Sequence, residues 1–434
     1  MKISTSNIVS KPNYLHATKH QIMGSSKFCA PNSNNISFKV TNSWGQNGNS
    51  THTLSIKKLP RDNKWMELQG IKNWEGLLDP LDDRLRDEIL RYGDFVEAAY
   101  RCFNFDTSSP GYATCCYPKD SMLSHTRGLN GHKVTKCLHA TCGIDLPRWA
   151  DRLPGWASAR SSWIGYVAVC TDRAEIARLG RRDVVIAYRG TATCMEWAEN
   201  LRVTLAGLPD DMAHDDKKSM VQSGLLSLYT SSDGTRPSLR DTVRDEVRKI
   251  LSKYGNDGPL SITVTGHSLG AALATLTAHD INTTFKDVVG PKPLVTVVSF
   301  GGPRVGNKSF RRQLEKSGTK VLRIVNADDP VTKVPGFVVN EPVNDNGEMG
   351  MLTWIKKCVE ETQWVYAEIG KELRLSSKDC ADLSDRGVAT CHDLKTYLHL
   401  VNNFASSNCP LRATAKRVLS RPDKQEDKQQ VLCS

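Results

Sequence analysis

From Leu81 to Tyr100 the apolar positions Leu81, Leu85, Ile89, Tyr92 and Val96 recur at spacings of three and four, the period of a helix with one buried face. Asp82 and Asp83 lie near its start, where negative charge suits the helix dipole. Further along the chain the period changes. Residues 161–170 (SSWIGYVAVC) and 183–190 (DVVIAYRG) read as strands, and Val184 to Ala187 are apolar without a break, as in a strand covered on both faces. The same form recurs at 260–270 (LSITVTGHSLG), 294–306 (LVTVVSFGGPRVG) and 321–331 (VLRIVNADDPV), each an apolar run that ends in a turn. Helices are predicted between them, from about 194 to 208, over 235–254 and over 271–281. Strands alternating with helices predict an α/β fold, with a mostly parallel central sheet and helices on both faces.

The remaining segments are less regular. Residues 104–150, rich in Cys, Gly, Pro and Ser, predict loops and short strands. Residues 210–218 read as a polar loop. Residues 340–390 read as an excursion from the core, with WVYAEIGKELRL as a hairpin pair, and CHDLKTYLHLVNNF as a final helix.

Composition then divides the chain. Residues 1–61 hold eight Lys or Arg, 15 Ser or Thr and no Asp or Glu; the first acidic residue is Asp62. That segment lacks the apolar run of a secretory signal, and its basic, hydroxylated, acid-free character is that of an organelle transit peptide, here a plastid one since Lys dominates over Arg. The expected organisation is a leader without regular structure at 1–61, a catalytic domain at 62–408 and a polar tail at 409–434. The formal net charge is +11, but beyond residue 61 there are 50 basic against 47 acidic side chains, which removes the support for a nucleic-acid partner. No apolar run approaches the roughly 20 residues that span a bilayer, so any membrane contact is expected to be peripheral. Thirteen cysteines, an odd number in a long chain, argue against a disulfide scaffold. Neither the Cys115-Cys116 pair nor the Cys137/Cys142 pair makes a CxxC motif, so no metal site is expected.

Gly266-His267-Ser268-Leu269-Gly270 is a G-x-S-x-G sequence. Five positions alone are weak, but here Ile262 and Val264 form a strand directly before the serine and Ala271 to Ala274 a helix directly after it. Strand, tight turn and small-residue helix are what a nucleophile elbow requires, which makes Ser268 the candidate nucleophile and an α/β-hydrolase the expected fold. Its partners are expected later in the chain, an acid and then a histidine. Asp328 and Asp329 both follow an apolar strand, where a carboxylate reaches the crevice at the strand ends. Of the later histidines, His392 opens a helix after a polar loop, whereas His399 sits within an apolar run and reads as packed or hydrogen-bonded. His267 and His279 precede the acid, and His267 reads as a neighbour that shapes the elbow. The oxyanion donors are expected to be the N–H of Leu269 and, from the turn Arg189-Gly190-Thr191, that of Thr191.

With these residues in view the chain resembles the plant class 3 lipases of the plastid phospholipase A1 group. The resemblance is carried by RLGRRDVVIAYRGTATCMEWAENL, SITVTGHSLGAALATLTAHDI, SFGGPRVGN, VLRIVNADDPVTKVPG and CHDLKTYLHLV, among segments that cover about 65–405. The family acid lies in an N-x-x-D-x-V pattern, here Asn326, Asp329 and Val331, so the resemblance selects Asp329 over Asp328. It implies Ser268, Asp329 and His392 as the triad, Thr191 and Leu269 at the oxyanion hole, and a lid at roughly 194–216. It further implies hydrolysis of the sn-1 acyl ester of phospholipids, with galactolipids or triacylglycerols as alternative substrates, no cofactor, and aggregated glycerolipid as the partner.

Overall fold

The computed structural model describes residues 64–124, 126, 128–129, 131–144, 160–200, 202–213, 216–287, 292–334, 365–379 and 388–407. The leader expected at 1–61, the tail expected at 409–434 and most of the excursion expected at 340–390 lie outside the described residues.

Seven strands form the main sheet: β1 (His132–Thr141), β2 (Ser161–Cys170), β3 (Arg182–Tyr188), β6 (Leu260–His267), β7 (Leu294–Phe300), β8 (Lys320–Asn326) and β9 (Lys371–Leu375), in the spatial order β1-β2-β3-β6-β7-β8-β9. The first three are antiparallel neighbours, and β3, β6, β7, β8 and β9 run parallel. A small separate sheet pairs β4 (Leu205–Gly207) with β5 (Met220–Gln222). This is the α/β-hydrolase arrangement.

Both faces of the sheet are covered, which is why its strands read as unbroken apolar runs. Val184, Ile186, Ile262, Val264 and Val297 pack into one core with Leu228 of α3 (Ser223–Thr230), Val243 of α4 (Leu239–Tyr254), Leu273 of α5 (Leu269–Thr284) and Phe310 of α6 (Lys308–Lys316). Val185, Ala187, Val298, Phe300, Leu322 and Ile324 point the other way. They meet Leu85, Ile89 and Val96 of α1 (Asp83–Cys102) and Leu400 of α7 (Leu394–Asn403). Asp82 is the N-cap of α1, and its carboxylate accepts from the N–H groups of Arg84 and Leu85.

Four local expectations are corrected. The helix expected from about 194 to 208 stops early: α2 covers Cys194–Asn200, and Leu205–Gly207 is strand. Glu196 and Glu199, which lie between its apolar residues, are buried in polar contacts, and Val203 is 46% exposed. The loop region 104–150 contains the ten-residue strand β1, whose polar positions are permitted because it is the edge of the sheet. The hairpin expected at 364–375 is one strand, β9, laid parallel to β8, so its partner comes from elsewhere in the chain. The final helix is broken into Val388–Cys391 and α7, with His392 between them.

Candidate active site

The parallel strands end on one edge of the sheet, and each delivers part of the site there. β6 ends at His267, α5 begins at Leu269, and Ser268 alone makes the turn, with φ 57° and ψ −124°. That conformation is unfavourable for a residue with a side chain, by about 1–3 kcal/mol, and persists because its surroundings hold it. The Ser268 N–H donates to the carbonyl of Phe300 at 3.0 Å, and its own carbonyl accepts from Ala271 at 3.0 Å. The flanking glycines have a steric reason: a Cβ on Gly266 would overlap the carbonyl of Gly270, and one on Gly270 would overlap that of Arg189.

The Ser268 hydroxyl lies 2.8 Å from Nε2 of His392. The other ring nitrogen, Nδ1, lies 2.6 Å from Oδ2 of Asp329. Asp329 follows the end of β8, is fully buried, and also accepts from the Val331 N–H at 2.9 Å and the Tyr397 hydroxyl at 2.6 Å. With the carboxylate accepting at Nδ1, the imidazole carries its proton there, and Nε2 is the acceptor for the serine hydroxyl. Asn326, the last residue of β8, donates from Nδ2 to the carbonyl of Cys391 at 3.0 Å, fastening the histidine's segment to the strand that bears the acid.

The neighbouring carboxylate faces elsewhere. Asp328 accepts from the hydroxyls of Ser376 and Ser377 at 2.9 and 3.1 Å, and from the Lys378 N–H at 3.2 Å. Burial works against its charge, but these donors hold its carboxyl below the usual carboxylate range. Of the two readings of His399, the packed one fails and the hydrogen-bonded one holds: it is exposed, because the apolar run around it faces the core only every third or fourth position, and its Nε2 lies 3.0 Å from the Asn403 side-chain nitrogen. His279 is buried in α5, with Nε2 2.9 Å from the carbonyl of Met212.

Thr191 follows β3, the strand next to β6. Its hydroxyl accepts from the side-chain amide of Asn200 at 2.8 Å, leaving its position fixed by α2. Leu269 opens α5, so its N–H belongs to the first turn, where no helical acceptor exists. Glu196 braces this loop. Its carboxylate accepts from the N–H groups of Ala192 and Thr193 at 2.7 and 3.2 Å and pairs with the fully buried Arg189 at 2.7 Å. Burial opposes the charge of Glu196, but Arg189, the Ser162 hydroxyl and the Ala192 N–H together outweigh it, so its pKa is lowered. A Cβ on Gly190 would sit 3.2 Å from that of Ser268, which measures how closely the loop approaches the serine.

The segment 194–216 is not one amphipathic cover. Met195, Leu208, Met212 and Ala213 belong to the main core, and Glu196 is locked to Arg189. The Trp197 side chain lies outside the described residues. Glu196 and Tyr397 escape sequence reasoning. One is a charge within a run that reads as surface, the other an aromatic indistinguishable from core. Among the described residues no group of three or more His, Cys, Asp or Glu is placed to hold a metal, and seven cysteines are free thiols.

The model of the family Lipase (class 3) matches residues 185–339. A protein from Arabidopsis thaliana named Phospholipase A(1) DAD1, chloroplastic, is 61% identical over 368 residues, covering 82% of this chain and 80% of that one. The chain belongs to the class 3 lipase family. A second relative of this lipase, Galactolipase DONGLE, chloroplastic, also from Arabidopsis thaliana, is 38% identical, over 79% of this chain and 71% of that one. Among solved structures, a deletion mutant of the Rhizomucor miehei lipase propeptide complex is similar at 17% identity, with a TM-score of 0.43, over 75% of this chain and 81% of that one. The family is one of ester hydrolases. No helix among the described residues is long and apolar enough to cross a membrane.

Proposed function

We propose that this class 3 lipase is a phospholipase A1, releasing the sn-1 fatty acid of a glycerophospholipid and leaving a 2-acyl lysophospholipid. The observation that carries the substrate class is the 61% identity, over 82% of the chain, to a relative named as a phospholipase A1. Ser268 attacks the ester carbonyl as His392 Nε2 takes its proton, and Asp329 holds the imidazole and stabilises its charged form. The N–H groups of Leu269 and Thr191 stabilise the oxyanion. The lysolipid leaves with a proton from His392, and water activated by the same histidine hydrolyses the acyl-enzyme. This sequence of steps uses neither metal nor organic cofactor. The 2.8 and 2.6 Å contacts from serine to histidine to aspartate support these roles.

The lipid is aggregated glycerolipid met by peripheral contact at a membrane surface. The address is the plastid, supported by relatives named chloroplastic and by the acid-free character of residues 1–61. The domain organisation is a transit leader at 1–61, the hydrolase at 62–408 and a tail at 409–434. A second reading, a galactolipase or acylglycerol lipase with the same triad, is favoured by the relative named as a galactolipase.

The test is positional analysis of products from mixed-acyl phosphatidylcholine, run beside monogalactosyldiacylglycerol and triacylglycerol. The expected result is preferential release of the sn-1 acid from phosphatidylcholine. Faster turnover of the galactolipid, or equal release from both positions, would replace this reading with the second.

A further inference from the structure

His392 sits between two helices, so no helical ladder holds its own main chain. The Gly190-Thr191 loop lies after β3 and has no covalent neighbour in common with it. Both are nevertheless joined to one pair of side chains, the half-buried Tyr100 and the buried His267. The Gly190 N–H lies 2.9 Å from the hydroxyl oxygen of Tyr100, on the last turns of α1. That oxygen lies 2.7 Å from Nδ1 of His267, and Nε2 of His267 lies 2.7 Å from the main-chain carbonyl of His392. The ends of this chain dictate where every hydrogen goes. A peptide N–H can only donate and a carbonyl can only accept. Gly190 therefore donates to Tyr100, Tyr100 donates to Nδ1 of His267, and His267 donates from Nε2 to His392. No other arrangement satisfies all four groups, and it requires a neutral His267.

We propose that Tyr100 and His267 are positioning residues of this hydrolase, forming a one-directional relay that holds the oxyanion loop and the backbone of His392 in register on either side of Ser268. The inference rests on the proposed roles of Ser268, His392 and Thr191. The surroundings keep the relay neutral. Burial pushes the His267 imidazole down to about 3, and the neighbouring His392, its ring centroid 4.8 Å away, pushes in the same direction. Burial raises the Tyr100 phenol, so it remains a donor. The charged groups facing the pair are Asp329, Arg189, Glu196 and Asp393. A proton on His267 would leave the Tyr100 hydroxyl without its acceptor and set a cation beside the imidazolium that His392 becomes. The relay thus fixes geometry and excludes a competing charge, and Ser268, His392 and Asp329 keep the proton transfers to themselves.

The experiment compares Tyr100→Phe, His267→Gln and His267→Phe in the full chain on a short-chain soluble ester. Folded sites are counted by stoichiometric labelling of the reactive serine with a fluorescent organophosphonate, so that kcat refers to competent molecules only. Y100F removes one oxygen and is expected to lower kcat per labelled site by about 10- to 100-fold, the size of effect that slight misplacement of reacting groups produces, with KM little changed. Its acidic limb should shift, since the released Nδ1 is freed to take a proton beside His392. H267Q carries both an acceptor and a donor and should retain most of kcat and the original limb, whereas H267F should not. Unchanged kcat per site and an unchanged pH profile in Y100F and H267F would overturn the proposal. Equal losses in H267Q and H267F would overturn it too, since bulk rather than hydrogen bonding would then be what matters. H267Q against Y100F decides the matter if H267F fails to fold. Labelling of Ser268→Ala probes the serine separately: a labelled S268A protein would reject the nucleophile, whatever the relay variants do.

Discussion

The two ends of the central sheet both bury ionisable groups, and they use them differently. At the carboxyl ends of the parallel strands, Ser268, His392 and Asp329 form a single file of hydrogen bonds that stops at a hydroxyl with spare reactivity. At the amino ends, Asp183 of β3 is fully buried and enclosed by partners: Arg91 at 2.8 Å, the Ser261 hydroxyl at 2.9 Å, and Arg181 at 4.0 Å, which in turn pairs with Glu88 at 2.9 Å. Tyr92 joins the same cluster, bonded to Arg181 at 3.0 Å and to Thr263 at 3.0 Å. Every charge there has an opposite neighbour. Burial alone would raise the pKa of Asp183, but Arg91 and Arg181 hold it far below the usual carboxylate range. The difference teaches that buried charge alone does not mark a site. The candidate site is distinguished by an open acceptor sequence and a strained serine, the other end by an opposite charge beside every charge.

Three tests, the second with a pair of variants, probe that contrast. The largest effect is expected from Ser268→Ala, which should remove more than about 10³-fold of kcat while leaving the melting temperature nearly unchanged. Hydrolysis of a soluble ester by S268A near the wild-type rate would reject the site. Next, Asp329→Asn should cost about 10²- to 10⁴-fold in kcat/KM, because the histidine loses the acceptor that sets its tautomer. Asp328→Asn should leave kcat/KM close to wild type, since Asp328 faces Ser376, Ser377 and Lys378. The reverse ranking would mean that the wrong carboxylate has been chosen.

The third probes the opposite end. Asp183→Asn leaves Arg91 and Arg181 short of a counter-charge and should destabilise the fold by about 3–5 kcal/mol, with kcat per folded molecule unchanged. Denaturant unfolding reads the first quantity and serine labelling the second. The pH dependence has a definite sign. A depressed folded-state pKa gives stability that is present above the unfolded Asp value of about 3.9 and is lost as the pH falls below it. D183N should therefore lose stability relative to wild type at neutral pH, and the gap should narrow in acid. A gap that stayed constant would show that shape, not charge, holds the cluster.

The elbow is legible in the sequence because its requirements are local: a strand, small neighbours and a helix within a few residues of Ser268. The parallel strands are legible for a related reason, since burial on both faces leaves no polar position to interrupt Val184 to Ala187. The segment after the oxyanion loop is not. Its apolar content is evident, but nothing along the chain says that Glu196 and Glu199 turn inward, and their partners, Arg189 for one and the Ser227 hydroxyl for the other, are recognisable only once the chain has folded. His399 misleads for a similar reason, because an apolar run in a helix does not say which positions turn inward.

By itself the sequence determined the turn at Ser268, the α/β alternation and the motifs that carry the family resemblance, because each depends on neighbours along the chain. Position in the sequence left Asp328 and Asp329 equivalent at the end of one strand. Only the tertiary structure separates their directions: Tyr397 of α7 and His392 approach one carboxylate, the residues after β9 the other. It alone joins Gly190, Tyr100, His267 and His392, which come from four distant parts of the chain, because a hydrogen bond needs proximity in space and leaves no period in the sequence.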